Sequence, residues 1–442
     1  MKIQLSDHFG YRKLFRFVLP SIVMMIFTSI YCVVDGFFVS NYAGKTAFAA
    51  INLIMPVLMV LGALGFMLGA GGSALVAKTL GEQNNKKANE IFSFLIYVSI
   101  VLGVLLGVGG IIFIKPLAVF LGAEGELLGL CVVYSRIILI ALPFFMLQNM
   151  FQSFLVTAEK PNLGFAVTVI AGVANIVLDA LFVVVFEWGI VGAAVATATS
   201  QCLGGIIPLI YFLRKNSSTL RLVKTGFDSQ ALLKATANGS SEFVTNISMS
   251  IIGALYNLRL LEYAGEDGVA AYGVIMYVAF FFVAIFIGYS IGVAPIIGYN
   301  YGASNEIELK NIFKKSMLFT TVSGILLTVL SFMLSSPLSR AFVGYDSALY
   351  DLTTHAFKIY SFSFFLSGFG IFGSSFFTAL NNGVVSAVIS FSRTFLFQAL
   401  AILLLPAFFG IEGIWYAVIV AEAVSVFVTF GLIAKHKNRY KY

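Results

Sequence analysis

The chain has 442 residues, 60% of them hydrophobic and 11% charged, with a mean hydropathy of +0.97 and a formal net charge of +7. These values exclude a water-soluble globular domain, and the net charge raises the question of a nucleic-acid partner, which its distribution answers. Apolar stretches recur along the chain, each close to the roughly 20 residues that cross a hydrocarbon core, and runs such as Ile96 to Phe113 are apolar on every face, as spanning helices are and barrel strands are not.

In chain order the predicted spans are 15–40, 48–76, 90–114, 128–156, 162–186 and 189–213, then 235–262, 269–298, 312–336, 354–380, 384–409 and 412–434. The expected fold class is an all-α polytopic membrane protein of twelve transmembrane helices. Cys32, Cys131 and Cys202 fall within spans, with neither disulfide nor metal-ligand spacing. The first apolar run is a full-length span without a small-residue cleavage site, so the N-terminus is expected to be kept.

Of 27 Lys and Arg, 20 fall on one side of this layout. They lie in the N-terminus (Lys2, Arg12, Lys13, Arg16), after span 2 (Lys78, Lys86, Lys87), at Lys160 and in the linker (Arg214, Lys215, Arg221, Lys224, Lys234). The rest follow span 8 (Lys310, Lys314, Lys315) or close the chain (Lys435, Lys437, Arg439, Lys441). Lys45, Lys115, Arg340 and Lys358 lie opposite; Arg136, Arg259 and Arg393 are inside spans, the first two expected to pair or snorkel. By the positive-inside rule both termini are expected in the cytoplasm of a multi-pass plasma or inner-membrane protein. Nucleic acid is not needed to explain the charge.

One shift of 221 residues, that from Gly81 to Gly302, superposes four separated segments. It pairs Gly71 with Gly292, Asn84 with Asn305, Phe92 with Phe313, Pro116-Leu117 with Pro337-Leu338, Thr157-Ala158 with Thr378-Ala379, and Gly189-Ile190-x-Gly192 with Gly410-Ile411-x-Gly413. Two parallel six-helix repeats follow, 1–221 and 222–442, with the boundary in the linker Arg214 to Gln230. Such repeats place a substrate site near the midplane between halves that rock to alternate access, an analogy that favours a carrier but names no substrate.

An ionised side chain at mid-membrane costs about 2.5–3.5 kcal/mol on insertion scales, so each calls for a partner, a proton or a function. Asp35 lies late in span 1, Asp179 in span 5, Glu242 early in span 7 and Glu422 in span 12. Asn175 and Asp179 share one helical face, where amide oxygen and carboxylate can converge on a small cation or proton, and Thr197 in span 6 can add a hydroxyl. Competition between coupling ion and substrate for one carboxylate is a simple basis for antiport; the structural alternative is a set of satisfied polar residues. Glu242, two turns beyond Lys234, can instead reach interfacial water. Arg393 and Glu422 sit at similar depths on antiparallel spans and are expected to pair. Pro20 interrupts span 1, as a gating bend or as a fixed kink.

The run Gly368-Phe369-Gly370-Ile371-Phe372-Gly373 matches G-x-G-x-x-G but lies in an apolar span with no strand before it, so it is set aside. Gly103 with Gly107, and Gly288 with Gly292, have the small-xxx-small spacing of close helix packing. Most of the 45 Phe and 19 Tyr must face lipid or other helices; Tyr256, Met276, Tyr277 and Phe280 are candidates for the wall of a cavity for aromatic cations. An intramembrane enzyme is disfavoured, because His8, His355 and His436 all lie outside spans or at their ends and cannot serve a base or metal at depth. There is no Walker A sequence, so pumping would use an ion gradient or a separate partner; a passive channel is argued against by the twofold repeat and the lack of a charged ring.

Twelve spans in two halves, Pro20 with Asp35 in Val34-Asp35-Gly36-Phe37-Phe38-Val39, and Asn175-x-x-Leu178-Asp179 followed by Gly189-x-x-Gly192-Ala193-Ala194 resemble the multidrug and toxic compound extrusion (MATE) family over essentially the whole chain. The resemblance implies a V-shaped pair of six-helix bundles exporting small, often cationic and aromatic compounds in exchange for H⁺ or Na⁺, with no organic cofactor. It implies a cation site of Asp35, Asn175, Asp179 and Thr197 in the first half and Pro20 at the bend. Glu242 resembles the span 7 glutamate of members with a second cation site, but those carry a further acid in span 10, whereas residues 354–380 contain no Asp or Glu. The alternative within transport is a lipid-linked precursor flippase of the same superfamily, which calls for a strongly cationic central cavity. The expected partners are drug-like molecules and the bilayer; the number of protomers is left open, with a monomer compatible with the sequence.

Overall fold

The computed structural model describes residues 3–442, in which all regular structure is helical. Lys2, one of the basic residues counted above, lies outside the described residues. The first half comprises α1 (Tyr11–Phe38), α2 (Lys45–Gly81), α3 (Asn85–Phe120), α4 (Gly125–Thr157), α5 (Pro161–Asp179) and α6 (Gly189–Leu213). After a segment without helix, the second half comprises α7 (Ser229–Gly302), α8 (Glu306–Val343), α9 (Ser347–Ser361), α10 (Ser363–Ala379), α11 (Gly383–Phe391), α12 (Phe397–Phe409) and α13 (Ile411–Tyr440). Three π-helical stretches join the set, Val39–Ala43, Ala180–Val185 and Ser392–Leu396.

Among the described residues ten helices are long and apolar enough to cross a membrane, and α9 with α10, bent by 45° at Phe362, pass the same test as a pair. The single helix expected over 354–380 is thus a broken one. One of the ten, α7, has 74 residues, which at about 1.5 Å each would rise roughly 110 Å, over three times a hydrocarbon core. It is interrupted at Gly265, whose φ of 61° and ψ of −152° are open essentially only to glycine. The break lies in Glu262-Tyr263-Ala264-Gly265-Glu266-Asp267, the polar stretch between the spans expected at 235–262 and 269–298.

The repeat is visible in local structure. Asn84 caps α3 by accepting from the Lys87 amide, and Asn305 caps α8 by accepting from the Glu308 amide, 221 residues on. The preceding residues, Gln83 and Ser304, both take left-handed φ, 61° and 53°, and Gly189 and Gly410 both have positive φ, 54° and 58°.

Long helices divide their faces between a protein side and an exposed apolar side. On α3, Val101, Leu105, Val108 and Ile112 form an exposed stripe at helical spacing, while Gly103 lies against Pro143 and Gly107 against the Leu139 carbonyl. Gly288 and Gly292 likewise let α7 approach Ser21, Ile22 and Val18 of α1. Most of the hydrogen bonds and glycine crossings between the halves lie toward the basic end; past the middle of α1, Ser29 Oγ also donates to the Phe280 carbonyl at 3.4 Å. At the basic end an N-terminal strap ties the halves together. The Leu5 amide donates to Glu159 of the first half, the Phe9 amide donates to Glu308 of the second, and Leu5 and Phe9 are buried in the apolar cluster around Ile296 and Phe376.

Candidate functional site

Asp35 lies in the last turn of α1 and Asp179 is the last residue of α5, and in both helices the backbone passes from α to π winding just beyond the acid. The Val39 amide is shared between the carbonyls of Asp35 and Gly36, and that of Ala180 between Ile176 and Val177. A π turn inserts a residue and re-aims what precedes it, a feature concentrated at functional positions. Gly172 brings α5 close to α1, leaving no room for a side chain beside Phe27 and Tyr31, and Ser200 of α6 donates to the Ala171 carbonyl at 2.8 Å. These contacts fix the three helices that carry the site.

The structure gathers Asp35, Asp179, Asn175 and Thr197 into one cluster. Thr197 Oγ1 donates to Asp35 Oδ1 at 3.4 Å. Asp179 and Asn175 are buried, at 0% and 2% exposure, whereas Asp35 is half-buried. Neither Asp179 oxygen nor the Asn175 amide nitrogen has a hydrogen-bond partner in good geometry. Two unit charges about 4 Å apart repel by about 4 kcal/mol even at an effective dielectric of about 20, so two bare carboxylates are not a stable arrangement here. The cluster offers oxygen ligands suited to a hard cation or a shared proton; among the described residues no group of three or more His, Cys, Asp or Glu is placed to hold a metal.

Glu242 is not brought to this cluster. It is partly exposed, and the positive charge of Arg393, also in the second half, acts on it. Arg393 itself is held by Glu422, its Nε donating at 3.1 and 3.0 Å to the two carboxylate oxygens, as expected from their matched depth. This pairing removes Arg393 from any free cationic cavity; Arg259 pairs with Glu262 at 2.7 Å. Of the cavity-wall candidates, Tyr256 is buried, donates to Gln398 at 2.9 Å and stacks on Tyr272, so its polar end is committed inside the second half. Met276 is partly buried, while Tyr277 and Phe280 are exposed, the Phe280 carbonyl meeting Ser29 at the seam. Helix α1 runs unbroken through Pro20. The histidines sit away from the cluster, His8 on Glu308 at 2.6 Å, His355 on Glu412 at 2.8 Å and His436 on the Leu432 carbonyl at 2.9 Å.

Sequence reasoning missed two features. The π turns carry no glycine or proline that would announce them. Tyr134 of α4 is buried at 1% exposure and close enough to Asp35 and Asp179 to feel both charges, yet a tyrosine in an apolar span carries no distinguishing signal.

The sequence pattern of the MatE family matches residues 20–181 and again 243–403, one copy per half. The chain is similar to the multidrug export protein MepA of Staphylococcus saprophyticus, 26% identical over 434 residues that cover 97% of this chain and 94% of the relative, and to that of Staphylococcus haemolyticus, 27% identical over 431 residues with the same coverage. Its fold matches that of a multidrug resistance MATE family transporter of the MOP superfamily solved in an outward-facing conformation, with a TM-score of 0.92, 22% identity, and coverage of 97% of this chain and 96% of the other. A MOP superfamily transporter from Pyrococcus furiosus, described as having a binding pocket of reversed polarity, matches with a TM-score of 0.90 at 22% identity and the same coverage. The all-helical fold, the repeated halves and the two matches to the family pattern place this chain in the MatE, or MATE, family of membrane transporters.

Proposed function

We propose that this protein is a secondary active exporter that exchanges H⁺ or Na⁺ for small organic, often cationic and aromatic compounds by alternating access. The observation that carries the reading is the Asp35–Asp179 pair: two adjacent acids within one half, one sequestered and one half-open, with Asn175 and Thr197 beside them. A proton or Na⁺ entering from the Asp35 side relieves their repulsion, and its loss restores it, so occupancy couples to the packing of α1 against α5 and α6. The relatives named as multidrug export proteins support the substrate class. The wall offered to cargo is Tyr277 and Phe280, with Met276 behind them; Glu242 is a further, partly open acid on the second half. Pro20 lies where α1 borders the seam and supplies a hinge for bending.

In this reading α7 crosses twice around Gly265 and α9 with α10 crosses once, giving twelve spans, with the halves divided near residues 221 and 222. Hydrogen bonds and glycine crossings gathered mostly toward the basic end fit a V-shaped cleft open on the opposite side, and the basic bias supports placing that end and both termini on the cytoplasmic side of the plasma membrane. The test is reconstitution in liposomes with a pH or a Na⁺ gradient imposed separately while ethidium movement is followed. Gradient-driven movement is expected in the wild type and abolished in Asp35→Asn and Asp179→Asn; movement undiminished in both variants would falsify the coupling role.

A further inference from the structure

At the basic end a groove of about 360 Å³ opens between the halves, and nothing in the proposed exchange uses it. Its first-half wall is the start of α1, with Tyr11, Arg12 and Phe15; its second-half wall is Tyr289 of α7 with Lys315 and Phe319 of α8. Tyr289 and Phe319 stack at 3.9 Å with planes 11° apart and form a flat apolar floor. Lys315 is buried, at 9% exposure; its ammonium donates to the Phe9 carbonyl and sits 5.0 Å above the Tyr11 ring. Arg12 is exposed and makes no ion pair or hydrogen bond among the described residues.

The neighbouring acids do not neutralise these two cations. Asp7 is held by Lys13 at 2.8 Å and by the Gln4 amide, and Glu308 is held by His8, the Phe9 amide and Asn311. The groove therefore presents two positive charges over an aromatic floor, at the level where basic residues bracket the spans. Apolar surface leads away from it toward lipid, through Phe15 and Leu19 on α1 and through Leu318 and Val322 on α8, all exposed and spaced four residues apart.

We propose that this groove binds the phosphodiester headgroup of an anionic phospholipid, with an acyl chain lying along the α1 and α8 stripes. A guanidinium matches phosphate oxygens bidentately, an ammonium adds a point charge, and basic pockets between spanning helices are suited to anionic headgroups. The volume accommodates a headgroup and the start of a chain and leaves the rest in the bilayer. Because the two walls belong to different halves, the lipid holds the basic end shut and favours the arrangement seen here over one in which the seam opens.

The test is native mass spectrometry of the purified full chain titrated with phosphatidylglycerol or with phosphatidylcholine of identical chains, and separately with inorganic phosphate. Phosphatidylglycerol is expected to be retained preferentially. Since one basic residue near anionic lipid is worth about 1 kcal/mol, Arg12→Gln is expected to weaken its retention about five-fold, with Phe15→Ala also weakening it and the exposed neighbour variant Lys314→Gln leaving it unchanged. Equal retention of the two lipids, equal losses in Arg12→Gln and Lys314→Gln, or displacement of the lipid by millimolar phosphate would each overturn the proposal. The readout is lipid retention, so it stands or falls independently of ion exchange, and Asp35→Asn is expected to bind the lipid as the wild type does.

Discussion

Gly81 and Gly302 pack reciprocally: a side chain on Gly81 would strike the Tyr299 carbonyl oxygen, and one on Gly302 would strike the Lys78 carbonyl oxygen, at 2.0 Å in each case. Lys78 and Tyr299 are themselves separated by the 221-residue shift, so the two contacts are one contact repeated about a pseudo-twofold axis. The same 221-residue shift relates the contact of Gly71 with Gly239 to that of Gly292 with Val18. The duplicated sequence thus closes the basic end by packing like against like.

A methyl group at 2.0 Å from backbone forces the helices apart, at a cost of about 1–3 kcal/mol or more when the backbone cannot yield. Gly302→Ala is therefore expected to lower the unfolding midpoint in detergent and to open the seam. In a background without the native cysteines, a cysteine placed at Ser21, buried at 1% exposure, should react with a bulky maleimide faster in Gly302→Ala than with glycine retained. Equal labelling rates would show that the helices absorb the methyl group without separating.

Thr197 is expected to be a minor contributor to the cation site. Its hydroxyl donates to Asp35 at 3.4 Å, a long hydrogen bond, and such bonds are worth about 1 kcal/mol or less. Thr197→Val should weaken the apparent affinity for the coupling ion by no more than about five-fold, whereas Asp179→Asn, which removes a buried charge, should abolish ion dependence. Ethidium transport measured against pH and Na⁺ concentration separates the two.

The spans were legible because apolar runs of the required length leave no alternative in a membrane, and the division of α7 was legible from Glu266-Asp267-Gly268. The 45° break at Phe362 was not, because phenylalanine carries no helix-breaking chemistry. At the candidate site the residue types were readable, since buried acids are expensive wherever they fall. Their convergence depends on Gly172 admitting Tyr31 and on two π turns set by tertiary packing, which leave no mark on composition. The Arg393–Glu422 pair could be anticipated because antiparallel spans fix depth from sequence position alone.

Outside the membrane, Asp228 caps α7 by accepting from the Ala231 amide and pairs with Lys87 at 2.7 Å, the Lys87 ammonium holding its carboxyl below the usual carboxylate range. Asparagine retains the cap and removes the charge. With side-chain exposures of 45% and 27% the pair is screened, so Asp228→Asn is expected to cost about 1 kcal/mol or less at neutral pH. Because the folded carboxyl titrates below its unfolded value, this advantage is fully present above about pH 4 and disappears as pH falls through the folded pKa. Urea unfolding of both proteins between pH 7 and pH 3 should show their difference closing only at the acid end.

Arg393 and Glu422 are both nearly buried, with side-chain exposures of 15% and 6%, and are joined through the guanidinium Nε to both carboxylate oxygens. Removing one partner strands the other charge in a low dielectric, a loss of about 3–5 kcal/mol, whereas replacing both by apolar residues of similar volume is close to neutral. Glu422→Gln is therefore expected to lower the thermal midpoint strongly, and Arg393→Met combined with Glu422→Leu to recover most of it. Gly370 lies directly against the Arg393 side chain, so Gly370→Ala should displace the guanidinium and reproduce part of the loss in the wild type but not in the double variant. A double variant as unstable as Glu422→Gln would mean that the pair supplies shape that methionine and leucine cannot fill, and that its charge is not what holds α13 in place.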